Sequence, residues 1–222
     1  MNRYISIVPI RAGSKGLKDK NTRILNGKPL YLYAVEQGIR TTNQCIISTD
    51  IESVISSAFP LNIQVNRRKN NLCQDQTLMD EVLLDLFLSQ DLEEYNAVLL
   101  QATSPLRSDS DVLESIKMFE SHDYHMIMSA CRKDSKVMKY GFIKDSLFVP
   151  LFKAENLFKN RQNLEYLFSP NGAIYIFSIK EFIKQRTFPS QSIGAYVMPK
   201  ERSLDIDAES DLKLAESYLE HY

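Results

Sequence analysis

The sequence predicts an α/β fold, a mostly parallel sheet with helices on both faces. Three observations carry that prediction. Short apolar runs rich in β-branched residues recur along the chain, stretches with helical periodicity separate them, and a basic, glycine-bearing loop follows the first run directly. At 222 residues, 44% of them hydrophobic, the chain can fill the core of one large domain.

Tyr4–Ile10 reads as the first buried strand: short, β-branched and stopped by the loop Arg11–Lys20. Asn26-Gly27 marks a tight turn, and Pro29 suits the first turn of a helix running to about Arg40. Cys45–Ser48 and Ile63–Val65 follow as strands. Met79, Val82, Leu83, Leu86 and Phe87 fall at spacings of three and four, which is one face of a helix. Ala97–Leu100 is another buried strand and runs into Gln101-Ala102-Thr103-Ser104-Pro105-Leu106-Arg107. Ser108 or Asp109 caps the next helix, whose inner face carries Val112, Ile116 and Phe119. Met126–Ala130 is again a strand.

The pattern breaks after Lys133, with a hairpin around Tyr140–Val149, and residues from about 136 to 169 read as an insertion within a single domain of residues 1–222. That stretch holds Phe142, Phe148, Phe152, Phe158, Tyr166 and Phe168, more large apolar groups than a solvated excursion carries. A second subunit is expected to cover it, the alternative being that the segment folds back on its own domain. Core character returns at Gly172–Phe177, and a helix from about Ala208 to Tyr218 closes the chain.

A net charge of −1 gives no support for nucleic-acid binding, and no stretch approaches the ~20 apolar residues of a membrane span. The apolar stretch Ile5–Ile10 is short, broken by Ser6 and Pro9 and followed by Arg11, unlike a secretory leader. Cys45, Cys73 and Cys131 are odd in number and far apart, which fits reduced thiols in the cytoplasm. Charge is nevertheless uneven. Arg11, Lys15, Lys18, Lys20, Arg23 and Lys28 face only Asp19, whereas the tail after Pro199 is rich in acids. An anion site near the N-terminus and a cation site near the C-terminus are expected.

The loop Arg11-Ala12-Gly13-Ser14-Lys15-Gly16-Leu17 leaves the carboxyl end of the first strand, where open α/β sheets place ligands. Its two glycines let backbone N–H groups approach phosphate oxygens, and Arg11, Lys15 and Lys20 can neutralise a triphosphate. The GxxxxGK[ST] spacing is absent, so the loop is either a different phosphate cradle or a solvated basic turn. In Ser203-Leu204-Asp205-Ile206-Asp207 an extended backbone sets both aspartates on one side and the apolar pair on the other. Two adjacent carboxylates repel unless a cation joins them, and Mg²⁺ favours such oxygens. A solvated strand edge or helix start is the alternative.

Five segments, taken in order, resemble the acylneuraminate cytidylyltransferases. They are the glycine loop with Lys20-Asn21, Arg68 with Asp75, Gln101–Arg107, Asn171-Gly172-Ala173-Ile174-Tyr175-Ile176, and Asp205-Ile206-Asp207 with Asp211-Leu212. The likeness spans Ile5 to Leu219. It implies a Rossmann-like nucleotidyltransferase domain, a homodimer, and Mg²⁺-dependent transfer of CMP from CTP to a nine-carbon sialic-acid-type sugar, with release of pyrophosphate. By this resemblance Arg11, Ser14, Lys15 and Lys20 meet the CTP phosphates, and Asn21 and Arg68 line the cytosine and ribose side. Gln101, Lys139 and Arg161 meet the sugar acid; if the apolar insertion crosses to a second subunit, it would deliver Lys139 or Arg161 to the partner subunit's site. Asp205 and Asp207 hold the metal. Arg11, Lys20 and Asp207 are the residues expected to act in the chemistry itself.

Ser169 stands where such relatives often carry Arg, which leaves the particular sugar acid open. A related family that activates an eight-carbon lipopolysaccharide sugar usually has Gly-Ser-Thr-Arg where this chain has Gly-Ser-Lys-Gly. A non-catalytic nucleotide-binding module is the remaining alternative, and it would have no need of a metal pair. His122, His125 and His221 fall outside every motif, so no general base is assigned.

Overall fold

The computed structural model describes residues 3–14 and 16–220. Arg3–Pro9 forms β1, one residue ahead of the expected span. A hairpin of β2 (Ile24–Leu25) and β3 (Lys28–Pro29) turns at Asn26-Gly27, and α1 (Leu30–Thr42) leaves directly from Pro29. Next come β4 (Cys45–Thr49), the short α2 (Glu52–Ile55), β5 (Ile63–Arg67), α3 (Met79–Gln90) and β6 (Tyr95–Leu100). Then α4 (Asp109–Ser121) starts on a capping box. The Ser108 hydroxyl accepts from Asp111 N–H, and the Asp111 carboxylate accepts from Ser108 N–H.

After β7 (Met126–Lys133) the chain makes short 3₁₀ turns and the hairpin β8 (Gly141–Lys144) and β9 (Leu147–Pro150). It re-enters the main sheet as β10 (Leu167–Ser178), followed by α5 (Ile179–Gln185), β11 (Ile193–Met198) and α6 (Glu209–Glu220).

Seven strands form the main sheet in the order β11-β7-β10-β6-β1-β4-β5, and only β10 runs antiparallel to its neighbours. Alternating side chains divide the core between two faces. Val8, Ile10, Val98, Leu100 and Ile174 pack under α1 and α4 through Tyr31, Val35, Val112 and Ile116. Ile5, Ile7, Leu99 and Phe177 pack under α3 and α5 through Leu83, Phe87 and Phe182. A third, smaller cluster lets Leu212 and Ala215 of α6 cover Leu17, Leu25 and Ile206.

The expected mostly parallel sheet with helices on both faces is therefore present. The expected insertion is shorter than its sequence span, because Leu167 to Ser169 already belong to β10 and pair with β7. Its hairpin forms a separate two-stranded sheet outside the main one.

Candidate active site

Strands β1, β4, β5 and β6 are parallel, so their carboxyl ends open along one edge of the sheet. The chain builds outward from β1 through β4 and β5, then returns past β1 to place β6 on its other side. Ligands of open α/β sheets bind at such a switch point. A cleft of about 280 Å³ lies there, lined by Arg11, Ser14, Gly16, Lys20, Asn21, Arg68, Gln101 and Thr103. Lys15, expected among the phosphate contacts, lies outside the described residues.

The loop is held by its own short contacts. Ala12 N–H donates to Asp50 Oδ1 at 2.8 Å, and Asn21 Nδ2 donates to the Arg11 carbonyl at 2.9 Å. Asn21 thus staples the loop as well as lining the cleft. Gly13 has φ +70°, a left-handed conformation that costs a side-chain-bearing residue. At Gly16 a Cβ would come within 2.7 Å of the Asp207 carbonyl oxygen, so glycine permits the loop to touch the acidic segment. Of the cations named for the phosphates, the two among the described residues sit on carboxylates: Arg11 Nη2 is 2.7 Å from Asp75, and Lys20 Nζ is 2.7 Å from Asp207.

Arg68 is buried, with 6% of its surface exposed. Its Nη2 donates to the Ser48 carbonyl at 3.1 Å, while its Nε has no hydrogen-bond partner among the described residues. Desolvation lowers its pKa, and the nearby Cys73 and Asp50 oppose that shift. A buried donor without a partner in the lining of a cleft fits a ligand that brings acceptors.

Between Ser203 and α6 the chain is extended. Ile206 is fully buried and donates its N–H to the Thr103 carbonyl at 2.9 Å, leaving Asp205 and Asp207 exposed. Although the residue is exposed, crowding of its carboxylate by neighbouring groups desolvates it and raises the Asp205 pKa, nearby Thr103 opposes that shift, and the charge of Asp207 raises it further. Asp211 accepts from the Asp207 and Ala208 amides at 3.0 and 2.8 Å, which fixes the end of the segment on α6. Among the described residues no cluster of three His, Cys, Asp or Glu side chains could cage a metal. The pair nevertheless fits Mg²⁺, which binds through one or two carboxylates and completes its shell with phosphate and water.

Asp205 also borders a second, larger cavity of about 1130 Å³ with Arg132, Lys133, Asp134, Arg161, Tyr166 and Lys200. Arg132 stacks over the Tyr166 ring at 3.6 Å, and Arg161 Nε lies 3.3 Å from Asp134. Gln101, expected at the sugar, opens on the first cleft instead. Lys139 lines neither cavity of its own chain, and its Nζ donates to the Lys159 carbonyl at 2.6 Å. The Ser169 hydroxyl bonds the Pro170 carbonyl at 3.1 Å.

Sequence reasoning missed Asp50, Thr103, Arg132, Lys133 and Lys200. Thr49-Asp50 ends a strand that the apolar pattern did locate, and Thr103 lies inside a segment already singled out. The other three carry no local motif.

Residues 5–221 match the family model described as cytidylyltransferase. The chain belongs to the cytidylyltransferase family. It is 34% identical over 212 residues to the N-acylneuraminate cytidylyltransferase of Streptococcus agalactiae, covering 93% of this chain and 51% of that protein. The chain thus spans about half the length of the first such relatives. This cytidylyltransferase is also 27% identical to the CMP-N,N'-diacetyllegionaminic acid synthase of Legionella pneumophila, across 98% of the chain and 97% of the relative. In fold it resembles a CMP:2-keto-3-deoxy-manno-octonic acid synthetase solved with CTP, at a TM-score of 0.74 and 12% identity over 99% of both chains.

Proposed function

We propose that this cytidylyltransferase transfers CMP from CTP to the anomeric hydroxyl of a nine-carbon, sialic-acid-type sugar and releases pyrophosphate. One observation carries the reading. A polar cleft at the switch point, bordered by Thr103, and a larger, cation-lined cavity, bordered by Asp205, adjoin where the Thr103 carbonyl accepts from Ile206 N–H at 2.9 Å. CTP fills the first, with Arg11, Ser14 and Lys20 on its phosphates and Arg68 with Asn21 on its nucleoside. The sugar acid fills the second, its carboxylate among Arg132, Lys133, Arg161 and Lys200.

In the reaction the sugar oxygen bonds the α-phosphorus, the α–β bridging bond breaks, and the hydroxyl proton leaves to solvent. Bound at Asp205 and Asp207, Mg²⁺ would supply charge stabilisation at the phosphates. Lys20 then exchanges its carboxylate partner for a phosphate, so the cation is already in place when negative charge develops on the leaving group.

Homodimerisation is part of the same proposal. Phe142, Ile143, Leu147 and Phe158 are 58%, 71%, 70% and 89% exposed in the single chain, an apolar surface that a second copy would cover. Arg161, 67% exposed, and Lys139 would then act across the interface. The free cysteines, two of them buried, suit a reducing cytoplasm. A second reading, the diacetyllegionaminic sugar, is favoured by the relative whose length this chain matches almost entirely. Pyrophosphate release with Mg²⁺, CTP and a panel of eight- and nine-carbon sugar acids tests both. Turnover with no sugar acid in the panel would overturn the transfer, and preference for an eight-carbon acid would overturn the sugar class.

A further inference from the structure

Outside the two cavities lies a polar assembly that the reaction as described leaves unused. Asp111, the third residue of α4, is completely buried. Its carboxylate accepts from Ser108 N–H at 2.8 Å, the Ser108 hydroxyl at 2.7 Å and the Tyr196 hydroxyl at 3.2 Å. Arg202 adds a bidentate pair, Nε to Oδ2 at 2.8 Å and Nη2 to Oδ1 at 2.9 Å. Such a fork fixes direction as well as distance. Burial alone would raise the Asp111 pKa, but Arg202 and Ser108 outweigh it and hold the acid below its ordinary value.

The first half of this assembly is a helix cap, and a cap needs no arginine. Ser108 and Asp111 already satisfy the first turn of α4 by themselves. What Arg202 adds is a tie from the rigid start of α4 to the 3₁₀ turn Glu201–Ser203, immediately ahead of the acidic pair. Ser203 holds the same turn from the other side. Its hydroxyl accepts from Asn171 Nδ2 at 2.9 Å, and Asn171 in turn accepts from Ser129 Oγ at 2.5 Å. Downstream, Ile206 N–H is fixed on Thr103. The carboxylates are exposed, and apart from the Lys20 contact to Asp207 at 2.7 Å it is the backbone of this segment that sets where they stand.

We propose that Arg202, seated on buried Asp111, is the positioning residue that aims Asp205 and Asp207 at the nucleotide cleft. This rests on the reading that those two aspartates carry the cation. Partners one step removed from metal ligands typically change metal affinity or activity ~10- to 100-fold when lost.

The test compares Arg202→Gln, Arg202→Lys and Asp207→Asn. Because Arg202→Gln alone strands the Asp111 carboxylate, an Asp111→Asn/Arg202→Gln double variant is made beside it, leaving no buried unpaired charge. Initial rates are measured against CTP and against the sugar acid. Mn²⁺ binding to the CTP complex, without sugar, is followed by electron paramagnetic resonance, and melting temperature is recorded for every variant. Expected are a fall in kcat of ~10- to 100-fold and Mn²⁺ binding weakened ~10-fold in both Gln variants, with part recovery in Arg202→Lys. The CTP KM should stay within about threefold, since the cleft keeps its own contacts. A merely structural role would lower the melting temperature and leave Mn²⁺ affinity unchanged in the folded double variant, which overturns the proposal. Wild-type kcat in the double variant, with Asp207→Asn inactive, overturns positioning while sparing the metal assignment. Wild-type kcat in Asp207→Asn overturns the metal assignment, and the positioning proposal with it.

Discussion

The sheet-end cleft and the appendage after β7 are both polar on their working side, yet they are built in opposite ways. Around the cleft, the segments that carry Arg68, Gln101 and Thr103 stand on buried structure. Arg107 is buried and donates to the Ala173 carbonyl at 2.7 Å and to Gln37, so the segment carrying Gln101 and Thr103 cannot drift. The appendage has 3₁₀ turns and one hairpin, with few side chains such as Met138, Asn156 and Leu164 buried. Its larger apolar groups face outward. On the proposed reading, a cleft that holds a triphosphate in line gains from being preorganised. On the same reading, an appendage completed by a second copy would gain its order at the interface, where its exposed surface is removed from water.

The sharpest way to break this comparison is to remove one phenylalanine from each region. Phe182 is fully buried, with edge-to-face contact to Phe87 at 5.4 Å between centroids. Phe182→Ala should cost ~3–5 kcal/mol of stability at any protein concentration. If the proposed dimer forms, Phe158→Ala should cost almost nothing in the dilute chain but should melt progressively below wild type as concentration rises. Chemical denaturation and melting across a dilution series check both. A Phe158→Ala variant that loses several kcal/mol at every dilution would place Phe158 in a core of its own chain.

Next in size is the chemistry. Asp207→Asn should lower kcat ~10²-fold or more while leaving melting temperature within a few degrees, because Asp207 is exposed and its removal empties no core. Near wild-type turnover in limiting Mg²⁺ would contradict the metal role. Smaller again, Arg161→Ala should raise the KM for the sugar acid about tenfold, near 1.4 kcal/mol, with little change for CTP. In mixed dimers with Asp207→Asn, the wild-type KM for the sugar acid should return if Arg161 acts across the interface. Confirmed mixed dimers that keep the raised KM would assign Arg161 to the cavity of its own chain, which it also borders.

Most of the fold was legible because β1, β4, β6 and β7 are apolar runs with buried faces, and α1, α3 and α4 carry helical spacing. The missed elements have weaker signals. β11 is an edge strand with alternating exposure and Gly194 inside it, and α5 is only seven residues long. The latter could have been found from Ser178 and Glu181, whose spacing is that of a capping pair. In the candidate site, Arg11, Lys20 and Asp207 were legible as candidates because they sit in a glycine-bearing basic loop or an alternating acidic motif, and Arg68 only through the family resemblance. Arg132, Lys133 and Lys200 were not, since only the pairing of β7 with β10 and β11 brings them to one cavity. The Arg202–Asp111 fork joins residues 91 apart, a separation that no local pattern encodes.

The smallest expected effect tests the rigid side of the comparison through pH. Asp109, the first residue of α4, accepts from Arg40 Nε at 2.6 Å and Nη2 at 2.9 Å and from Gln37 Nε2 at 3.1 Å, which clips α4 to α1 beneath the cleft. The Arg40 bonds, assisted by Gln37 and opposed by partial burial, hold the Asp109 acid below its usual value of 3.8. A carboxylate depressed in the folded state stabilises the fold above the unfolded pKa and loses that contribution as pH falls through the folded one. Both partners are largely solvated, at 53% and 38% exposure, so the pair is screened. Asp109→Asn should therefore cost only about 0.5 kcal/mol at neutral pH, and high salt should shrink the difference. The gap between variant and wild type should hold down to about pH 4 and close below it. Activity should not change, because Asp109 borders neither cavity. Urea titrations at neutral and acid pH would measure the gap. A difference that persists undiminished in acid would mean that Asp109 works through helix capping or packing rather than through its charge.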